Sequence, residues 1–363
     1  TVTGTVAADT ADTETLDLTA GDGAIDLQGE VGTTALGSLT VNSATTARFG
    51  ADVTSANAQD ITADTIQTNG THTTTDSPIT FSGNTELQAA SGMDTGTGVG
   101  DVTLSAVTGG GQNLTIAAGD GNVVLGGDVG TSATPVGDVT VNSAANVAGD
   151  DVAGSDAGAI YAASLTQSAG TGTTRLGIVE LGGAMSLTTT AVIDLNGTVS
   201  APGGFTSEGT SFDNAGATID TDNAALTIDH TGAVTVAAAL TSGDGVNGGN
   251  ISVTGQSGVT VDATINSEDA GSGGTLSISG GVTLNVSPTV GDGDIILDGG
   301  GTDISVSGDL VLTADTTFSA TGDVTFGGTV NTDGVDNWTL DVNADGQTQF
   351  DGAVGNTDRL GAL

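Results

Sequence analysis

The feature that most limits what this chain can fold into is a short phrase repeated from end to end. It is a glycine turn followed by apolar, threonine, apolar, or a close variant. It reads GSLTV at Gly37–Val41, GDVTL at Gly100–Leu104, GDVTV at Gly137–Val141, GAVTV at Gly232–Val236, GVTL at Gly281–Leu284, GDLVL at Gly308–Leu312 and GDVTF at Gly322–Phe326. Alternation with a period of two marks a strand with one buried face. Gly, Asn and Asp punctuate the strands. No window carries an apolar stripe at helical spacing, and the Thr, Val and Gly content opposes helix. The chain therefore reads as all-β, with many short strands.

Two architectures accommodate such strands. Tandem β-sandwiches need bulky cores, and the 363 residues hold one Trp, one Tyr and seven Phe. A right-handed parallel β-helix, or β-solenoid, has a narrow interior that Val, Leu, Ile and Ala fill by stacking on their own kind. Parallel crossovers favour that hand. The solenoid is the expected fold, with coils of about 20–22 residues stacked at about 4.8 Å; tandem sandwiches are the alternative.

A longer repeat overlies the short one. Gly21–Gly32 (GDGAIDLQGEVG) matches Gly119–Gly130 (GDGNVVLGGDVG) at an offset of 98 residues, and Ala344–Gly355 (ADGQTQFDGAVG) is a third copy. The final RLGAL, joined to the opening TVTG, rebuilds the LGSLTV of Leu36–Val41. The expectation is that residues 1–363 are one continuous solenoid segment, a single super-repeat of a longer tandem array.

Charge narrows the partners. Lys is absent, Arg occurs only at positions 48, 175 and 359, and the net charge is −41. That balance opposes nucleic acid, for want of a basic patch, and anionic membrane surfaces. No apolar run approaches the roughly 20 residues of a spanning helix, so membrane insertion by this segment is not expected. The absence of Cys excludes a disulfide framework and thiolate metal sites.

Stretches such as VGTTALGSLTVNSATTARFGADVTS (Val31–Ser55) and GDVTFGGTVNTDG (Gly322–Gly334) resemble the β-strand repeats of giant bacterial surface proteins of the filamentous-haemagglutinin-like and autotransporter-type adhesins. The resemblance covers most of the chain and is one of style. It implies an extracellular, cell-surface stalk, sheath or fibre. The implied partners are neighbouring repeats end to end, lateral copies in a fibre, and surface glycans.

Polysaccharide-degrading enzymes also use β-helices, through clustered carboxylates or a basic residue. Here the three Arg are scattered and no carboxylate pair stands out. His72 and His230 lie in polar surroundings and read as surface or turn residues. The chain is therefore expected not to be an enzyme. A carbohydrate-binding module, or a glycan-degrading β-helix, is the alternative.

Calcium is the expected cofactor, because hard cations take clustered oxygens. The triplet GDG places Asp22, Asp120, Asp244 and Asp292 in turns, and DVNADG places Asp341, Asn343 and Asp345 as in the opening of an EF-hand loop. Position 12 of that loop is Gly352 rather than Glu, and Asp–Gly pairs also simply make turns. Two Asp stacked one rung apart repel by about 0.9 kcal/mol even in bulk water, which a shared cation would relieve. Threonine ladders can order water, but the Thr-rich stretches Thr10–Thr19 and Thr71–Asp76 do not recur once per coil. Trp338, alternating with Leu340 and Val342, reads as a core or coil-to-coil contact.

Overall fold

The computed structural model describes residues 1–149, 158–243, 248–267, 274–285, 295–298, 303–306, 308–312, 315–332, 334 and 337–363. Among them there is no helix. Named strands pair in parallel with strands one coil away, which makes the fold a parallel β-solenoid. The chain falls into two compact units, residues 1–182 with 186–191, and residues 183–185 with 192–363.

In the first unit each coil contributes to three columns of strands. One column stacks Leu39, Gln59, Ile79, Val102 and Val123. A second stacks Val53, His72, Met93, Ile116 and Val141. The third stacks Ala47, Ile66, Thr85 and Val107. All these side chains point inward and are buried. Outward residues alternate with them, which is the period-two pattern of the repeated phrase.

The second unit repeats the plan. Phe212, Val234, Val259, Val282, Ile304 and Val324 form one inward ladder. Leu226, Ile251 and Leu276 form another, and Ile219, Leu240 and Ile265 a third. Burying each such side chain is worth roughly 1.5–3 kcal/mol. The narrow interior explains why Val and Ile suffice where a sandwich would need aromatics.

Coil length varies. Leu39 pairs with Gln59, 20 residues on, whereas Leu226 pairs with Ile251, 25 residues on. The 20–22 residues expected from sequence thus describe only the tighter coils.

Glycine at the turns lets coils approach. A Cβ on Gly328 would stand 2.3 Å from the carbonyl oxygen of Gly308, and one on Gly352 would stand 2.1 Å from that of Gly328. Both distances are far inside van der Waals contact, so this corner is built from stacked glycines.

The histidine expectation is corrected here. His72 and His230 are both fully buried, not surface or turn residues. Each occupies an inward position of its strand, between outward neighbours. Trp338 is half-buried, with its indole Nε1 shielded from solvent and without a hydrogen-bond partner.

Candidate cation-binding turns

The two described GDG turns have the same geometry. Gly23 donates its N–H to the Ala20 carbonyl at 2.9 Å, and Gly121 donates to Ala118 at 2.7 Å. Gly21 and Gly119 follow with φ of 57° and 54°, in the left-handed region where glycine carries no Cβ penalty. Asp22 and Asp120 come next and are exposed. The turns are tied to the following coil by backbone: Thr45 donates its N–H to the Gly23 carbonyl at 2.9 Å, and its hydroxyl to the Asp22 carbonyl at 2.7 Å.

Asp22 lines an open groove of about 720 Å³ with Asp64, Ser43, Thr45, Thr62 and Ser82. Asp64 is the acidic neighbour that sequence reading did not single out. Asp120 lies outside this groove. Asp244 and Asp292 lie outside the described residues.

The DVNADG segment is arranged differently from an EF-hand loop. Leu340–Ala344 is a strand, so Asp341 and Asn343 project from its outer side rather than converging on a point. Asn343 and Asp345 line a shallow groove of about 280 Å³ with Ser319 and Thr321, and Asp341 does not take part. Among the described residues, no three His, Asp or Glu side chains stand close enough to form a metal cage.

Many other turn carboxylates and amides have a defined task that the sequence reading missed: they cap the next coil. The Asp52 carboxylate accepts the Thr71 N–H at 2.8 Å, and that of Asp76 accepts the Gly98 N–H at 2.6 Å. Asp101 accepts the Asn122 N–H at 2.7 Å. Asn122 in turn accepts from the Asn146 side chain at 2.8 Å, and Asn146 accepts the Thr173 N–H at 2.8 Å. In the second unit Asp303 accepts the Asp323 N–H at 2.8 Å, and Asp323 accepts the Gln347 N–H at 2.7 Å.

Most of these acceptors sit just before a strand and take a backbone donor from the equivalent place one coil later; Asn122 instead takes a side-chain amide. A carboxylate is well suited, because hydrogen bonds to an ionised acceptor are short and strong. The Thr329 N–H and hydroxyl hold the Asp309 carboxyl below its ordinary range. Asp26 is likewise lowered, first by the Gln28 side-chain amide at 2.8 Å and also by Arg48, whose guanidinium lies 3.0 Å away.

Stacked carboxylates without such caps also occur. Glu208 and Asp229 are in-register partners and both are exposed. The threonine of the repeated phrase forms an outward ladder: Thr235, Thr260, Thr283, Ser305 and Thr325 stack one residue per coil. This ladder lies outside the Thr-rich stretches Thr10–Thr19 and Thr71–Asp76.

No protein-family model, curated protein sequence or solved structure matches this chain.

Proposed function

We propose that this chain is a non-enzymatic structural segment of a secreted, cell-surface fibre, sheath or adhesin stalk of the bacterial type that its repeats resemble. The observation that carries this reading is the in-register stacking of like on like within each unit, with turn carboxylates given over to capping the next coil. A rising column of paired backbone supplies length and stiffness at about 4.8 Å per coil. The anionic exterior supplies solubility and a way to cross-bridge copies through cations.

Calcium is the cation this reading assigns, first to the groove of Asp22 and Asp64, where two carboxylates and several hydroxyls line one concavity. Neighbouring repeats, laterally packed copies and surface glycans remain its proposed partners.

Electron microscopy of the secreted protein tests the reading. Unbranched rods or filaments are expected. Compact globular particles would overturn it.

A further inference from the structure

One coil of the first unit carries a buried polar side chain on each of its three sides: Gln59 in the first column, His72 in the second, and Thr68 two residues beyond Ile66 of the third. Gln59, Thr68 and His72 all point inward and are fully buried. They meet at the centre. His72 Nδ1 lies 2.8 Å from Gln59 Oε1, and His72 Nε2 lies 3.1 Å from Thr68 Oγ1. The Gln59 amide donates onward to the Thr73 carbonyl at 2.9 Å and to that of Val53 at 3.3 Å. Three sides of a single turn are thus fastened through one imidazole.

The surroundings leave that imidazole no compensation for charge. Phe49 from the preceding coil and Phe81 from the following coil present their rings edge-on, with centroids 5.1 and 4.9 Å away. Val53 and Met93 flank it in its own column. None of the side chains facing it, on any of the packed strands, is titratable or charged. The nearest carboxylates in sequence, Asp64 and Asp76, are exposed, and Asp60 and Asp94 on the packed strands sit at outward positions. An imidazolium here would have no anion to pair with, and Gln59 and Thr68 would be its only polar neighbours.

We propose that the Gln59–Thr68–His72 cluster is an acid-sensitive latch: neutral, it ties the three sides of this coil together, and protonated, it opens the first unit locally around residues 59–93. Burial pushes the His72 imidazole down to about 3, from the ordinary value of 6.5. The opened form takes up the proton at the ordinary value. Between those limits acid favours opening, and each pH unit shifts the balance about tenfold.

Amide exchange of the full chain tests this. Protection of Ile61, Ile66 and Met93, corrected for intrinsic rates, is expected to fall about tenfold per pH unit from pH 6 to pH 4.5. The double variant Gln59→Leu, His72→Leu restores an apolar ladder, and its protection in the same window is expected to be flat. Equal pH dependence in both proteins, or none in the parent, would overturn the proposal. If the double variant does not fold, imidazole NMR of the parent decides. A ring that stays neutral down to about pH 4 supports the latch, and a midpoint near 6.5 overturns it.

Discussion

Asp309 accepts two hydrogen bonds from one residue of the next coil: the Thr329 N–H at 2.7 Å and the Thr329 hydroxyl at 2.9 Å. This pair condenses the way the solenoid uses acid. A carboxylate before one strand fixes the start of the strand above it. Replacing Asp309 with Ala is expected to lower the melting temperature at pH 7. Asn, which keeps one acceptor oxygen, is expected to recover part of the loss. The sign of the pH dependence follows from the lowered carboxyl. Its stabilisation is full above the ordinary pKa of 3.8 and is lost as pH falls through the lower folded value. Melting curves of parent and Asp309→Ala should therefore converge in strong acid.

Glycine stacking makes a second prediction. Gly328→Ala forces a methyl against the Gly308 carbonyl, so the coils must separate, at a cost of roughly 1–3 kcal/mol. Gly4→Ala is the control, since a Cβ there meets nothing within 4 Å. It is expected to stay within about 0.5 kcal/mol of the parent. Denaturant titration of the three proteins reads the difference.

Phe81 is fully buried and packs edge-on against His72. Phe81→Ala is expected to cost about 3–5 kcal/mol, as for other large cavities in tight cores. Thr103→Ala, at an outward position of the neighbouring strand, is expected to cost far less. Chemical denaturation of both variants checks the contrast.

Glu208 and Asp229 test the cation account. Their in-register stacking places two exposed carboxylates one coil apart. Asp229→Asn is expected to raise the melting temperature by up to about 1 °C at low salt, from a few tenths of a kcal/mol of relieved repulsion. Added calcium should stabilise the parent, chelator should reverse that, and Asp22→Asn with Asp64→Asn should blunt the response. A parent whose melting ignores both calcium and chelator would remove the calcium assignment.

His230 supplies a pH prediction for the second unit. It is fully buried and hydrogen-bonded to the Ser207 hydroxyl at 2.8 Å. Burial pushes its imidazole down to about 4, while the Asp229 charge acts in the opposite sense. A lowered histidine binds its proton more readily when unfolded. Its contribution therefore favours folding least at the acid end, and stability should fall as pH drops from 6.5 towards 4. Thermal melts across that window are expected to show a shallower slope in His230→Leu.

How much was legible follows from these residues. The strands and the parallel stacking could be read because phrases such as GDVTL and GDVTF fix both the inward pair and the turn. The buried histidines were misread because THTTTD looks like a polar turn. The signal was alternation, with His72 inward between outward Thr71 and Thr73. The caps were missed because an Asp acting one coil away has no local signature. Its sign is recurrence at coil spacing, as with Asp303 and Asp323, 20 residues apart. The EF-hand likeness of Asp341, Asn343 and Asp345 was local spacing without the loop, because Leu340 and Val342 draw the segment into a strand.

The caps, the glycine contacts and the inward ladders all depend on the register of one coil against the next, and that register can be measured directly. The chain has no Cys, so an introduced pair is unique. Thr260 and Thr283 are in-register outward partners, at a spacing a disulfide can bridge. Thr260→Cys with Thr283→Cys is expected to cross-link under mild oxidation. Thr260→Cys with Asn285→Cys, displaced by two residues, is expected to remain mostly reduced. Preferential cross-linking of the displaced pair, or of neither, would contradict the stacked register on which the account rests.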